Sequence, residues 1–293
     1  MTDEPAFVRL TAPHRRALHV HCYRILGSLD DADDALQETL LRAWRSIDRF
    51  EPRASLSTWL HKIATNVCLR MLEQRSRRAE HEEIGRDLQP YPDAMLSEPA
   101  AQAELRESVG LAFIAALQFL PPRQRVVLLL RDVLGWSAAE AAETLGDSVA
   151  AVNSALQRAR ERLRRERAEG RLAREHAPAA EGRLMARFVA AWQAVDIEAL
   201  VELMAADAVL TMPPEAMRFD GAEAIGTFFA TVPLDGALDR IALAHTRANG
   251  QPALAAYADG QPYGVMVFAC DEGAITGITG FPDPALFPRL GLP

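Results

Sequence analysis

Residues 136–167 read WSAAEAAETLGDSVAAVNSALQRARERLRRER, and this stretch decides the fold of the N-terminal half. Ser137, followed three residues later by Glu140, forms a capping box and predicts that a helix begins there. Gly146 stands where a left-handed residue commonly ends a helix, and either residue of the Asp-Ser pair after it can cap the next one. The stretch therefore predicts a helix-turn-helix.

The second helix of this motif separates apolar from polar positions. Apolar residues recur at helical spacing and predict one packed face: Val149, Val152, Leu156, Ala159 and Leu163. Polar residues lie outside that face, where they can meet base edges and phosphates: Asn153, Ser154, Gln157, Arg158 and Arg160. The alternative interpretation is a helical hairpin with a solvated basic face. The first interpretation points to nucleic acid.

The composition bounds the class of protein. A chain of 293 residues predicts about two domains. No apolar run approaches the roughly 20 residues of a membrane span, and the acidic N-terminus lacks an apolar signal segment. Cys22, Cys68 and Cys270 are scattered without a CxxC pair, which argues against both a disulfide framework and a zinc site. We expect a cytoplasmic protein without a metal or another cofactor.

The net charge of -8 is unevenly distributed along the chain. Residues 183–293 hold six arginines and thirteen acidic residues, a net charge of -7. The remaining residues are nearly neutral but patterned, with acids at 30–34 and 80–93 and arginines at 75–78 and 158–174. Local patches, rather than the overall charge, decide what such a chain binds. The acidic C-terminal part is also able to mask basic DNA-binding surfaces.

Changes in composition and in hydrophobic periodicity divide the chain into five segments. They are a helical unit (5–78), an acidic linker (79–100), a second helical unit (101–167), a hinge (168–182) and an α+β domain (183–293). In the last segment, two helical patterns precede alternating runs punctuated by glycine, which predict antiparallel strands. These runs are 208–212, 238–248, 253–259, 263–270 and 274–281.

Four sequence segments together carry a family resemblance. They are DADDALQETLLRAW (31–44), FEPRASLSTWLHKIATNVCLR (50–70), RSRR (75–78) and LPPRQRVVL (120–128), the last leading into the helix-turn-helix. In this order they resemble regions two and four of the sigma-70 family, the promoter-specificity subunits of bacterial RNA polymerase. Because no helical region three lies between them, the chain is similar to the small extracytoplasmic-function (ECF) group. The resemblance implies two all-α domains, a region-two bundle and a region-four helix-turn-helix.

The resemblance also implies roles for residues in region two. An acidic helix surface would dock on the clamp helices of the polymerase largest subunit: Asp34, Gln37 and Glu38. A second set would read and open the minus-ten element, where a flipped base needs a pocket and replacement stacking: Phe50, Trp59, His61, Lys62 and Asn66. For Trp59, packing in the core is an equal alternative.

Region four and the linker receive roles in the same way. Residues of the second helix would face the minus-thirty-five element: Asn153, Ser154, Gln157 and Arg158. Three arginines beyond them would grip phosphates: Arg160, Arg164 and Arg167. Four acids of the linker would lie toward the RNA exit path, or belong to a solvated tether: Glu80, Glu82, Glu83 and Asp87.

The C-terminal segment resembles a SnoaL-like, or NTF2-like, domain through IEALVELMAADAV (197–209) and FDGAEAI (219–225). The resemblance implies an α+β cone with an apolar pocket, in which ketosteroid-isomerase-like relatives carry an aspartate base. Met212 occupies that position here and cannot accept a proton, so we expect no catalysis. The candidate pocket residues are Met212, His245 and Tyr257, with Asp259 a further polar candidate, and the expected ligand is small and apolar.

The leading prediction is a sigma factor, not an enzyme, that binds core RNA polymerase and promoter DNA and is regulated in cis by its C-terminal domain. One alternative is a stand-alone helix-turn-helix regulator with a ligand-binding NTF2-like domain. Another is a ligand-converting NTF2-like enzyme that carries a DNA-binding module. The first should require polymerase, whereas a stand-alone regulator should bind promoter DNA by itself.

Replacing Asn153 with arginine should redirect promoter choice. Asparagine pairs with adenine in the major groove and arginine with guanine, each good pair being worth roughly 1–3 kcal/mol of discrimination. A panel of promoters that differ in the minus-thirty-five element, transcribed in vitro, measures the change. Unchanged selectivity of Asn153→Arg across the panel would refute the assignment of this residue.

Overall fold

The computed structural model describes residues 3–50, 55–78, 88–96, 111–168, 178–215 and 217–293. The chain forms two compact units. The helical unit contains Met1–Ile84 and Ala116–Arg165, and the mixed unit contains Gly85–Ala115 and Glu166–Pro293. Among the described helices, none combines the length and the apolar character needed to cross a membrane.

In the first half of the helical unit, the described residues form four α-helices. They are α1 (Glu4–Thr11), α2 (Arg15–Leu26), α3 (Leu29–Ser46) and α4 (Leu56–Arg78). Gly27 ends α2 in the left-handed conformation (φ 80°), and the side chain of Ser28 then caps α3 by accepting a hydrogen bond from the Asp31 amide at 3.3 Å. The helices α2, α3 and α4 pack against one another and enclose this half's core.

The second half of the helical unit contains the predicted motif. Its helices are α5 (Leu111–Gln118), α6 (Pro122–Leu128), α7 (Ala138–Leu145) and α8 (Val149–Ala168), with a π-helical turn at Leu129–Val133. The capping box joins Ser137 and Glu140 through hydrogen bonds of 3.2 and 2.8 Å, and Gly146 ends α7 with φ 64°. The helix-turn-helix predicted from the sequence is confirmed.

Two details of the motif could not be predicted from the sequence and are shown by the structure. Ser148, rather than Asp147, caps α8 by accepting a hydrogen bond from the Ala151 amide at 3.1 Å, while Asp147 pairs with Arg123. Val149 was predicted to lie on the packed face and is instead 45% exposed. It is the first residue of α8 and precedes the packed face, which begins at the buried Val152.

The mixed unit folds as a sheet covered by helices. Its strands are β1 (Met204–Met212), β2 (Met217–Asp220), β3 (Ile241–Ala248), β4 (Gln251–Ala258), β5 (Gln261–Asp271) and β6 (Ala274–Phe281). They lie in the order β2-β1-β6-β5-β4-β3. Its helices are α9 (Pro178–Gln193), α10 (Ile197–Glu202), α11 (Ala222–Thr231) and α12 (Leu286–Arg289).

The sheet corrects one prediction from the sequence. All strands were expected to be antiparallel, but β1 pairs with β6 in parallel. The chain between them passes through four strands and α11, and a long crossover of this kind allows two neighbouring strands to run in the same direction. Strand β2 and helix α11, which open this crossover, were not predicted either.

An aromatic cluster holds α9 and α11 against the sheet. Phe188 of α9 contacts Phe268 of β5 edge to face, with ring centroids 5.0 Å apart, and Trp192 contacts Phe229 of α11 at 5.2 Å. The indole nitrogen of Trp192 donates a hydrogen bond of 3.0 Å to the carbonyl oxygen of Ile241. The cluster therefore combines apolar burial with a satisfied polar group.

Candidate functional site

The predicted docking residues lie along one side of α3. Asp34 and Gln37 are exposed, and Glu38 accepts a hydrogen bond of 2.6 Å from Nε of Arg42, one turn further on. Leu41 continues the same side and is 51% exposed, so an apolar side chain lies beside the charges. We call Asp34, Gln37, Glu38 and Leu41 the α3 face. The sequence analysis did not include Leu41 in this surface, although its spacing from Gln37 and Glu38 puts it on the same side of α3.

Three of the predicted minus-ten residues share a side of α4. Trp59, Lys62 and Asn66 are separated by three and four residues, which aligns them on one side of a helix. Phe50 joins them because its ring centroid lies 5.1 Å from that of Trp59. Asn66 is exposed, and its amide nitrogen donates to the Lys62 carbonyl oxygen at 2.9 Å. We call these four residues the α4 face.

His61 points away from the α4 face. It is 7% exposed, and its ring packs edge to face against His21 with centroids 5.2 Å apart. Its Nδ1 lies 2.8 Å from the Ser57 carbonyl oxygen, and Nε2 of His21 shares a hydrogen bond of 2.9 Å with Oγ1 of Thr65. Burial lowers the pKa of both rings. The structure therefore places His61 in the core between α2 and α4.

The predicted base-reading residues are all exposed on α8. Asn153, Ser154, Gln157 and Arg158 face outward, while Val152, Leu156 and Ala159 are buried. This division follows the helical period, since the two sets occupy different sides of the helix.

Two of the three arginines assigned to phosphates already have partners within the chain. Arg160 forms a two-point pair with Asp132, with nitrogen–oxygen distances of 2.7 and 3.0 Å, and Arg164 pairs with Glu161 at 3.0 Å. Arg167 belongs to α8, but its side chain lies outside the described residues. Phosphate contacts by the first two arginines would replace these exposed pairs, which contribute little to stability.

Part of the linker lies along the β3–β4 hairpin of the mixed unit. The Tyr91 amide donates to Oδ1 of Asn249 at 2.7 Å, and the Asn249 amide donates to the Tyr91 carbonyl oxygen at 2.8 Å. Next to them, Pro92 and Ala248 form an antiparallel bridge. Both Tyr91 and Asn249 are fully buried. The linker thus adds a short strand-like segment to the hairpin.

Charged groups extend this contact by one residue. Asp93 accepts a hydrogen bond of 2.7 Å from the Gly250 amide and lies 3.3 Å from Nε of Arg247. Arg247 also reaches Glu181 of α9 at 3.3 Å. We call the contacts of Tyr91, Pro92 and Asp93 with the hairpin the linker clasp. The linker acids predicted to approach the RNA exit path, Glu80, Glu82, Glu83 and Asp87, lie outside the described residues.

The sequence analysis did not predict the linker clasp, although the sequence does indicate the hairpin turn to which the linker binds. Asn249 and Gly250 form the turn between β3 and β4 with φ of 56° and 72°, and an Asn-Gly pair between alternating strands is a strong hairpin signature. Asn249 therefore tolerates the left-handed conformation and also supplies the side-chain oxygen that holds the linker.

An apolar cavity of about 80 Å³ lies between the helices and the sheet of the mixed unit. Its lining includes Trp192, Met212, Phe228, Phe229, Ile241 and Tyr263. Of the predicted pocket residues only Met212 lines this cavity, and no described residue of the lining is acidic or basic. Among the described residues, no group of histidine, cysteine and carboxylate side chains is placed to hold a metal ion.

The other candidate pocket residues point elsewhere. His245 is exposed on β3, and the hydroxyl of Tyr257 donates to the Pro293 carbonyl oxygen at 3.4 Å while its ring contacts Phe287. Asp259 is exposed and hydrogen-bonded by Arg240, which lowers the pKa of the carboxyl group. Alternation along a strand predicts only that neighbours point to opposite faces, so the sequence could not tell which face lines the cavity.

Comparison with protein families defines the class of the chain. Residues 10–78 match the sigma-70 region 2 family, residues 110–163 match the sigma-70 region 4 family, and residues 185–276 match the SnoaL-like domain family. The matches follow the order of the helical bundle, the helix-turn-helix and the mixed sheet. The class is thus a sigma-70-type factor that carries a SnoaL-like extension.

Individual relatives narrow the class. The ECF RNA polymerase sigma factor SigG of Mycobacterium tuberculosis is 44% identical, across 97% of this chain and 83% of that protein. SigM of the same species is 36% identical over 56% of this chain and 78% of that protein. The crystal structure of M. tuberculosis SigJ has the same fold, with a TM-score of 0.70, 24% identity and coverage of 98% and 99% of the two chains. The chain therefore belongs to the ECF RNA polymerase sigma factors.

This membership decides between the predicted functions. The chain is a transcription initiation factor of the sigma class, rather than a stand-alone regulator. The prediction of two helical sigma domains followed by an NTF2-like α+β domain is confirmed.

Acidification should destabilise the helical unit through the His21–His61 pair. The pKa of both rings is lowered in the folded protein, so below the unfolded value of about 6.5 the unfolded chain takes up protons that the folded chain does not. As the pH is lowered below about 6.5, the free energy of unfolding should decrease. The decrease should be at most about 1.4 kcal/mol per pH unit for each histidine. Urea unfolding between about pH 7.5 and about pH 5.5 measures it. The double variant His21→Gln/His61→Gln should show a shallower dependence, and an identical dependence would contradict the assignment.

Proposed function

We propose that this sigma factor docks on core RNA polymerase through the α3 face, reads the minus-ten element with the α4 face and reads the minus-thirty-five element with α8. The observation that carries the proposal is the division of α8. Its apolar side chains are packed, whereas Asn153, Ser154, Gln157 and Arg158 remain in solvent. A recognition helix needs this arrangement, because base edges must be reached by side chains that the fold does not use.

The α4 face has the chemistry expected for strand opening. The rings of Phe50 and Trp59 are in contact and half-buried, so they offer a stacking surface that is already ordered. Stacking on an aromatic ring is worth roughly 1–3 kcal/mol per base and offsets part of the cost of unstacking a base from the duplex. The exposed Asn66 amide, one turn along from Lys62, adds a polar group for a base edge. Packing and DNA contact are thus compatible roles for Trp59.

The α3 face supports docking on the clamp helices of the polymerase largest subunit. Its carboxylates would meet basic groups there, and Leu41 supplies the apolar contact that charges alone lack. Charge complementarity mainly sets specificity and association rate, while a desolvated apolar residue contributes to affinity. We expect the complex to form in the cytoplasm.

The linker clasp supports regulation in cis, and its geometry favours inhibition. A linker held by the C-terminal domain cannot at the same time extend along a path through the polymerase. Tyr91 exchanges two hydrogen bonds with the buried Asn249, and Asp93 adds a third to the hairpin. Because these polar groups are buried or partly buried, they have to find other partners whenever the linker leaves.

The apolar cavity supports ligand binding rather than catalysis. Its described lining contains no carboxylate, histidine or amine, and the phenol of Tyr263 lies there without a second acid–base group beside it, so general acid–base chemistry has little to use. The ligand would be a small uncharged molecule that displaces little ordered water. Ile241 and Ala256 line the cavity and belong to the same two strands as the clasp hairpin. Ligand binding could therefore act on the linker through this hairpin.

Charge reversal on the α3 face should weaken binding to core polymerase. The double variant Asp34→Arg/Glu38→Arg places like charges against a basic partner and should raise Kd by about tenfold or more. Glu198→Arg/Glu202→Arg is the matched control, since it reverses two exposed carboxylates four residues apart on α10. Binding is measured by fluorescence titration with core polymerase. Equal affinity of the two double variants would refute docking through this face.

Removal of the Asn249 side chain should release the linker and raise transcription. Asn249→Gly preserves a turn that needs positive φ but removes the oxygen bound to the Tyr91 amide, which should shift the clasp equilibrium by about tenfold. Asn249→Asp keeps an acceptor oxygen and serves as the control. Hydrogen exchange at Tyr91 reports on the clasp, and in vitro transcription reports on activity, which should also rise on truncation after residue 175. Faster exchange at Tyr91 with unchanged or lower transcription would contradict inhibition.

A further inference from the structure

Two of the three cysteines lie together in the core of the region-two half (α1–α4) of the helical unit. Cys22 belongs to α2 and Cys68 to α4, and both side chains are 0% exposed. They stand 46 positions apart in the sequence, so no spacing motif indicates the pair. The proposed function gives neither residue a role.

The packing of α2 on α4 brings the two thiol groups into contact. Nε2 of His21 and Oγ1 of Thr65 share a hydrogen bond of 2.9 Å, which joins neighbouring turns of the two helices. Cys22 follows His21 directly, and Cys68 lies three residues after Thr65, on the same side of α4. The thiols of Cys22 and Cys68 interact there by a hydrogen bond. The fold thus creates a pair of sulfur atoms from two distant cysteines.

The surroundings of the pair favour the neutral thiol of Cys68. Burial raises the pKa of this thiol well above its ordinary value, and the Cys22 thiol and the Asp31 carboxylate act in the same direction. The thiolate is the nucleophile in cysteine oxidation, so the reaction is slow at neutral pH. A pair of this kind responds to sustained exposure to an oxidant rather than to a brief one.

Burial also decides which oxidants can reach the two sulfur atoms. Protein interiors contain few voids larger than a water molecule, so a bulky charged disulfide such as oxidised glutathione is excluded while the helices are packed. Hydrogen peroxide is uncharged and little larger than water, so small fluctuations of the core admit it. In a reducing cytoplasm, a disulfide that does form is usually catalytic or redox-sensing. A small peroxide is therefore the class of oxidant that fits the site.

Cys270 of the mixed unit is a natural comparison within the same chain. It is also buried, and burial raises the pKa of its thiol to about 12. The group that acts on it besides burial is the Glu181 carboxylate rather than a second thiol. Cys270 thus shares the burial of the pair but lacks its sulfur–sulfur interaction.

We propose that Cys22 and Cys68 form a peroxide-sensitive dithiol, which closes a disulfide between α2 and α4 and thereby lowers transcription by this sigma factor. One sulfur attacks a peroxide oxygen, the O–O bond breaks, and a sulfenic acid and a water molecule result. The other sulfur attacks the sulfenic sulfur, the S–O bond breaks, and a second water molecule leaves. Two electrons pass from the sulfur atoms to the peroxide, and both thiol protons end in water.

The disulfide would change the packing of α4. Bonded sulfur atoms are about 2 Å apart, closer than two thiols in contact, so α4 has to move relative to α2. Trp59 and Lys62 of the α4 face belong to this helix, and His61 between them packs against His21 of α2. A densely packed core transmits such a movement rather than absorbing it. The effect on transcription rests on the proposed role of the α4 face, whereas formation of the bond does not.

Peptide mapping tests the bond in the full-length protein. Trypsin releases Cys22 in the peptide 17–24 and Cys68 in the peptide 63–70. After the folded chain is incubated with hydrogen peroxide and its remaining thiols are alkylated in urea, these peptides should be joined with the loss of two hydrogen atoms. Dithiothreitol should separate them, and the peptide with Cys270 should not be joined to either. Recovery of the two cysteines only as thiols or as sulfinic acids would overturn the proposal.

Oxidised glutathione is the comparison oxidant. It should leave Cys22 and Cys68 unreacted in the folded chain and react with both in urea, because only unfolding gives it access. Equal reaction in the folded and unfolded chains would overturn the assignment to a small peroxide.

Transcription in vitro tests the consequence. The sigma factor is treated with peroxide, freed of it and added to untreated core polymerase, and transcription should fall several-fold. Dithiothreitol should restore it, which separates the disulfide from methionine sulfoxide, because that product needs a dedicated reductase. Cys22→Ala and Cys68→Ala should each keep their own untreated activity, whereas the matched control Cys270→Ala should lose activity as the unchanged chain does.

The unchanged chain carries the main result, so the test does not depend on the folding of the alanine variants. Joined peptides with undiminished transcription would overturn the regulatory effect of the disulfide. Failure of the untreated chain to direct core polymerase to any promoter would contradict the proposed function instead.

Discussion

Burial of one apolar side of each helix is the constraint on which the functional surfaces depend. In α8 the packing of Val152, Leu156 and Ala159 fixes the rotation of the helix, and the polar residues between them are left in solvent. The same division leaves the α3 face and the α4 face outside the core of the region-two half. The residues that we propose for recognition are therefore ones that the fold does not need, which allows them to vary without loss of stability.

Several charged residues of this sigma factor pair with one another on its surface. Arg160 pairs with Asp132 and Lys62 with Glu143. Exposed pairs of this kind cost little to exchange, because water and salt already screen them. Arg125 differs, since its guanidinium is buried and donates to the carbonyl oxygen of Ile25, so removal of that partner would leave a buried cation poorly satisfied. The described residues thus combine easily exchanged surface pairs with a buried contact that is costly to break.

The extent of prediction differs between local and long-range features. The capping box and the left-handed glycine could be predicted because they depend on neighbouring residues. The order of the two sigma regions came from the resemblance to the sigma-70 family. The parallel pairing of β1 with β6 could not be predicted, because it depends on strands separated by more than sixty residues. Within the site, the exposed residues of α8 followed from the helical period, whereas burial of His61 required the position of His21 on another helix.

The sequence by itself determined the division into helical and mixed parts and the polar side chains exposed on α8, because local spacing fixes what a helix or strand presents. The class of protein, and the roles that we propose for those side chains, came from the resemblance of whole segments to the sigma-70 family. Only the tertiary structure decided that Tyr91 meets Asn249, that Arg125 reaches the end of α2 and that Lys62 is held by Glu143. These contacts join residues 158, 100 and 81 positions apart, and loop closure over such distances leaves no local pattern in the sequence.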